Sequence, residues 1–224
     1  MAKVKNTRKS KPFIISKEEL EMLMESTHGR DRLIMVALGF AGMREGELAH
    51  MNKDWVHSKY IKIPDEPIIC DCVDCQLQAY FAKKRGAVKK DVDWYPKLQK
   101  KFYKQRKAGK LKALKHQWSP ASEDGARTIS YTFPGMRKTF RRWFKTHDSI
   151  GMTRQGIWQR VRTLGNKILG KKLYPHSLRM SAATILADNG ASSIKLKESM
   201  GWAKIDSALH YVESEKKRIK RKHK

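Results

Sequence analysis

Acidic residues are in short supply in this chain: 22 Asp and Glu stand against 49 Lys and Arg in 224 residues, a formal net charge of +27. A surplus of this size repels itself and favours a polyanionic partner, with nucleic acid as the first choice. Affinity for such a partner falls with salt through counterion release. An anionic membrane fits less well, because the cations are spread along the chain rather than laid on one amphipathic helix. A merely solvated basic surface is the plainer alternative. Long apolar runs are also missing. None approaches the roughly 18 residues that a membrane span requires. The N-terminal MAKVKNTRKSK is basic but has no apolar stretch behind it, so no signal peptide is visible and the expectation is a cytoplasmic protein with no membrane partner. No P-loop and no paired-carboxylate signature occurs, which leaves nucleotide hydrolysis and two-metal nuclease chemistry without support. Cysteine is limited to Cys70, Cys72 and Cys75.

What is present reads as one mainly α-helical α+β domain with a small antiparallel β-sheet. Residues 1–12 read as a flexible basic arm, 13–212 as the domain, and 213–224 as a basic tail. Ser16 and Glu19 have capping-box spacing ahead of Leu20, Leu23 and Met24, so a helix starts there. Arg32 to Ala41 is nearly all apolar and reads as a buried helix. GMREGELAHM restarts a short helix with Arg44 in its first turn. Tyr60 to Ile63 and Arg127 to Phe133 read as strands, each stopped by a proline. Helices are expected over 136–147, 153–169, 176–189 and 192–200, with Tyr211 in a further short one. Residues 65–117 hold the cysteines and a lysine-rich stretch and look like an insertion of solvated helix or loop.

Five residues carry the chemistry in order along the chain. Arg44 lies in GMREGEL, His176 and Arg179 in HSLR, Trp202 in MGW, and Tyr211 follows nine positions later in ALHYV. An H-x-x-R pair alone is weak, since a histidine at a helix start and a surface arginine would give it too. On a helix, however, His176 and Arg179 share one face while small and apolar residues fill the others. Three boxes in this order resemble the catalytic domain of the tyrosine recombinase, or phage integrase, family over about Phe13 to Tyr211. The tail box and the cysteine-rich turn look closest to integrases of archaeal viruses and plasmids.

The resemblance implies a site-specific DNA recombinase. Tyr211 would attack the scissile phosphate and leave a 3′-phosphotyrosine and a free 5′-hydroxyl. A new 5′-hydroxyl then reverses the step, which integrates or excises a mobile element. A phenol is a poor nucleophile near neutral pH, its reference pKa being about 10. Two guanidiniums, Arg44 and Arg179, suit the charge that builds on the phosphorane. His176 would act as base or further donor, and Trp202 would donate its indole N–H. No cofactor is required for this chemistry. The implied partners are double-stranded DNA at attachment sites and further copies of the chain, as a tetramer on paired sites. Family enzymes usually carry an N-terminal clamp domain as well. Only the basic arm precedes Phe13 here, which suggests a shortened chain or a naturally minimal enzyme.

One residue departs from the family pattern. The general-acid lysine is expected in WSPASEDGARTISY at Ala121, where it is absent. Lys115 is a candidate substitute; failing that, the chain cleaves slowly without an acid or is an inactivated version. Ala121 is also the best argument for the rival reading, a non-catalytic DNA-binding protein on the same fold. A type IB topoisomerase-like enzyme shares the chemistry and is a second rival.

Two segments stay open. Cys70, Cys72 and Cys75 in C-x-C-x₂-C suit a structural zinc, with His57 or His116 as the fourth ligand, or reduced thiols in a tight turn. Trp94, Tyr95, Phe102 and Tyr103 among the lysines of 83–115 suit a DNA-tracking face or a local core. Arg137, Lys138, Arg141 and Arg142 recur at helical spacing and suit phosphate contacts or a solvated face.

Overall fold

The computed structural model describes residues 13–84, 94–111, 116–120 and 125–212. The basic arm, the tail, Lys115 and Ala121 lie outside the described residues.

Helix α1 (Lys17–Glu25) opens on the Ser16–Glu19 capping box, with Glu19 N–H donating to Ser16 Oγ at 3.2 Å and Ser16 N–H to Glu19 Oε2 at 3.1 Å. Helix α2 (Gly29–Gly39) is buried continuously from Leu33 to Gly39. A helix that is apolar on every side must be surrounded. Here α1, α6 (Met136–Phe144), α7 (Arg154–Leu169) and α8 (Pro175–Asp188) pack around it. Short α3 (Glu45–His50) follows and rests on α2 and α7. Helix α9 (Ser193–Met200) packs on α8, and residues 206–212 add a last helical segment.

Among the described residues the strands form two antiparallel pairs rather than one sheet. Strand β1 (Tyr60–Ile63) pairs with β4 (Arg127–Ser130) in the register Tyr60↔Ser130 to Ile63↔Arg127. Ile61 and Ile63 point into the core and their neighbours point out, the period-two pattern of a half-buried strand. Residues 131–133, expected as strand, leave the ladder because Ser130 already pairs with Tyr60, the first residue of β1. Phe133 instead stacks on Phe40 at 3.8 Å between ring centroids. The second pair joins β2 (Ile68–Cys70) to β3 (His116–Trp118), with Cys70 opposite His116.

The described residues of 65–117 thus contribute to two strands and form two helices, α4 (Val73–Lys84) and α5 (Trp94–Lys107). These helices share a small core of Val73, Leu77, Tyr80, Phe81, Leu98 and Phe102, apart from the main one. Phe102 is fully buried there and Tyr103 is exposed. Burying a side chain of Phe102's size contributes about 1.5–3 kcal/mol, enough to hold two helices together locally.

Candidate active site

The site forms where four distant pieces of chain meet at the C-terminal end of α9. The last carbonyls of a helix have no partner inside it. In α9 those of Ser199, Met200 and Gly201 are taken by three arginines. Arg127 Nε donates to Ser199 O at 3.0 Å, Arg179 Nη2 to Met200 O, and Arg44 Nη2 to Gly201 O. Cations at this end also complement the helix dipole. Gly201 caps α9 in the left-handed conformation, at φ 57°, and the turn it makes hands the chain to Trp202. Gly42 provides the other tight approach. It sits at φ 60°, its carbonyl accepts from Arg179 Nη1, and a Cβ on it would meet Met200 Cε at 2.6 Å.

Glu47 holds the arginines together. Its Oε1 accepts from Arg44 Nη1 and Arg127 Nη1, both at 2.8 Å, and its Oε2 accepts from Arg127 Nη2 at 2.9 Å. The Arg44 backbone N–H donates to the same carboxylate at 2.7 Å, which also caps α3. Burial alone would raise the Glu47 pKa, but the Arg127 hydrogen bonds, then its charge and the Arg44 N–H, hold it below the usual carboxylate value. Burial, then the neighbouring charge of Arg127, pushes Arg179 down to about 9, so it stays charged at neutral pH. Three guanidiniums facing the one Glu47 carboxylate leave a positive excess directed at an anion.

Arg44, Glu45, His176, Arg179 and Trp202 line a cavity of about 410 Å³, with Trp158 and Tyr174 as its aromatic wall. His176, in the first turn of α8, is exposed at the mouth. Partial burial of its ring, and then Arg179, lower its pKa. Trp202 stacks on Tyr211 at 5.3 Å and 17° between ring planes. Burial raises the Tyr211 pKa and Arg179 opposes the rise. Arg44, His176, Arg179, Trp202 and Tyr211, dispersed in sequence, therefore come together. Gly125, the first described residue after Ala121, lies beside them: a Cβ there would sit 3.5 Å from Arg44 Nη1.

The motifs did not single out Glu47 or the place of Arg127. The R-x-x-E capping spacing from Arg44 to Glu47 was the available signal for the first. A second feature lies outside this pocket. Arg137, Lys138, Arg141 and Arg142 of α6 line a broad groove of about 1050 Å³ with Lys53 and Lys145.

The thiols gather as well. Cys70, Cys72 and Cys75 are all buried under Trp118. Hydrogen bonding to the other two thiols pushes Cys70 down, hydrogen bonding to Cys70 pushes Cys72 up, and hydrogen bonding to both pushes Cys75 up. Of the two histidines expected from sequence, His57 is not with them; its ring packs on Tyr60 at 4.5 Å. His116 Nδ1 lies 3.9 Å from Cys75 Sγ. The histidine grouped with Cys72 and Cys75 is instead His50 of α3.

Fold and pocket together define a helical domain that presents an arginine-rich anion pocket beside a stacked tyrosine. The chain belongs to the phage integrase family, whose model matches residues 14–218. A stretch of 78 residues is 36% identical to the tyrosine recombinase XerD of Listeria monocytogenes serotype 4b (strain F2365), covering 34% of this chain and 26% of that protein. A stretch of 117 residues is 28% identical to tyrosine recombinase XerC of Listeria innocua, covering 49% of this chain and 39% of that protein. The matched segments thus span well under half the length of these curated relatives. Among solved structures, XerA recombinase superposes with a TM-score of 0.59 at 17% identity, over 94% of this chain and 63% of that one. The Tn1549 transposon integrase, in complex with a circular intermediate DNA, gives 0.56 at 15%, over 93% of this chain and 65% of that one. At these identities the likeness is one of fold. No helix among the described residues is long and apolar enough to cross a membrane.

Proposed function

We propose that the chain is a tyrosine site-specific DNA recombinase that works through this pocket. The observation that carries the reading is the meeting of Arg44, His176, Arg179 and Trp202 around one cavity, with Tyr211 stacked on Trp202. A phosphodiester supplies the anion that the arginine excess lacks. Tyr211 Oη bonds to phosphorus, the P–O5′ bond breaks, and the 5′-oxygen leaves with a proton. The phenol must first lose its own proton, and its raised pKa makes help necessary. His176 is kept neutral near pH 7, which suits a base. Arg44 is the more open of the two catalytic arginines, its side chain 28% exposed. It meets the phosphate first, while Arg179 is more deeply set and acts on charge that develops during attack. The ester keeps the bond energy, so a new 5′-hydroxyl can displace Tyr211 without ATP or a metal.

The α6 groove supports a double-stranded DNA partner, since Arg137, Arg141 and Lys138 can follow a phosphate backbone without reading sequence. Tetramer assembly on paired attachment sites belongs to the same reading. The YPHSLR and MGW boxes with the cysteine-rich turn support an integrase of an archaeal virus or plasmid.

An SDS-resistant adduct on a nicked duplex carrying the attachment site tests the proposal. The adduct is expected with the unaltered chain and not with Tyr211→Phe. Ala121→Lys should raise the cleavage rate, by up to the about 10² to 10⁴ that a general acid contributes. Intact DNA binding without any adduct, also after Ala121→Lys, would favour the non-catalytic DNA-binding reading that Ala121 suggests.

A further inference from the structure

We infer that Cys70, Cys72, Cys75 and His50 form a structural zinc site that fastens α3 to residues 68–118. None of these side chains belongs to the arginine pocket, so the site stands or falls independently of the recombinase reading.

Three thiols supply three ligands, and the chain presents them as a zinc site does. Cys70 ends β2, Cys75 lies in the first turn of α4, and Cys72 stands between them with its sulfur accepting the Cys75 backbone N–H at 3.4 Å. The fourth ligand comes from far upstream. His50 is only 3% exposed, and its ligating atom lies within 4.8 Å of those of Cys72 and Cys75. Its tautomer is fixed: Nδ1 sits 2.6 Å from Gly46 O and must donate to it, which leaves the lone pair on Nε2. A histidine whose second nitrogen is anchored on a backbone carbonyl is the arrangement that orients metal ligands. Trp118 stacks on the ring at 4.9 Å and packs over the cysteines.

The nearest carboxylate is already committed. Asp74 Oδ1 accepts the Arg154 backbone N–H at 2.9 Å and Oδ2 accepts from Gln78 at 2.7 Å, with His50 Nε2 at 3.9 Å. Both of its oxygens are thus engaged elsewhere, and Asp74 is not counted as a ligand. His116 is the competing fourth ligand, but it is exposed. Four ligands of type Cys₃His satisfy tetrahedral zinc completely, so the site is structural and not catalytic. Its effect on the pocket is mechanical. His50 closes the same short helix that starts beside Arg44 and carries Glu47.

The test is zinc per chain in the full-length protein, purified without chelator, with cobalt(II) as an optical probe. About one zinc per chain is expected, together with cobalt bands typical of tetrahedral thiolate ligation. Cys72→Ser should lose the metal. His50→Ala should weaken zinc affinity by at least the roughly 10–100-fold that outer-shell changes alone cost, and His116→Ala should leave it unchanged. Because His50 is buried, His50→Cys provides the second arm: it should keep zinc and shift the cobalt bands toward a four-thiolate site. Absence of zinc from the unaltered protein would overturn the site. Unchanged zinc affinity in His50→Ala, or weakened affinity in His116→Ala, would overturn the assignment of His50.

Discussion

The arginine pocket and the thiol cluster lie at opposite ends of α3 and are built on opposite principles. The pocket gathers cations: Arg44 and Arg127 bond the carboxylate of Glu47, Arg179 lies beside them, and all three lean on the carbonyls at the end of α9. The thiol cluster brings buried cysteines and His50 together, and the zinc proposed for it would complete them. The first arrangement is costly unless an anion arrives, which is what a binding site needs. The second is closed, which is what a staple needs. Both depend on α3, so a six-residue helix with little stability of its own is held from either end.

Substitutions that strike one end and spare the other would separate these roles. The largest effect is expected from Glu47→Gln, which leaves Arg127 without its buried partner. Breaking such a pair costs about 3–5 kcal/mol, read as a lowered denaturant midpoint, and cleavage should fall with it. The Glu47 carboxyl titrates lower in the folded chain than in the unfolded one. Its contribution is therefore complete above about 4.3, the ordinary Glu value, and is lost as pH falls through the folded value. Glu47→Gln should flatten that acid-side decline in an unfolding series.

Phe102→Ala strikes the insertion alone. It should cost about 3–5 kcal/mol in the α4–α5 core, detected as faster amide exchange in those helices, with adduct formation unchanged. Reduced adduct formation would show that this core supports the pocket directly. Next comes Arg44→Lys, which keeps the charge but loses the fork that spans Glu47 and Gly201. Cleavage should drop about 10²–10³-fold with DNA binding nearly unaltered. A drop in binding that matched the drop in rate would mean that Arg44 only holds substrate. The smallest effect is in the pH profile. Burial lowers the His176 pKa from the ordinary histidine value of 6.5, so the acid limb of the cleavage rate should have its midpoint below 6.5. A midpoint at or above it would contradict a neutral His176 base.

Much of this arrangement was legible in the sequence where local chemistry dictates local structure. Ser16 with Glu19 announced α1, and the unbroken apolar run announced buried α2. Arg44, His176, Arg179, Trp202 and Tyr211 stood out because their boxes keep the order of the family they resemble, and the fold brings them into one place. The supports were harder to read, because they are long-range. Strands β2 and β3 are three residues each, with α4 and α5 between them, too short for periodicity to register. Met22 is 49% exposed, since α1 buries the face of Leu20 and Leu23. His50 has no spacing relation to the cysteines, and only folding places α3 beside them. The backbone carbonyls of Ser199, Met200 and Gly201 carry no side-chain signature at all.

The most direct test of the pocket as the seat of chemistry is to map the covalent bond itself. Protein trapped on a nicked attachment-site duplex would be digested and the nucleotide-bearing peptide sequenced by tandem mass spectrometry. The account predicts a single phosphotyrosyl linkage, on Tyr211. A linkage on any other tyrosine, or on a serine or cysteine, would contradict it.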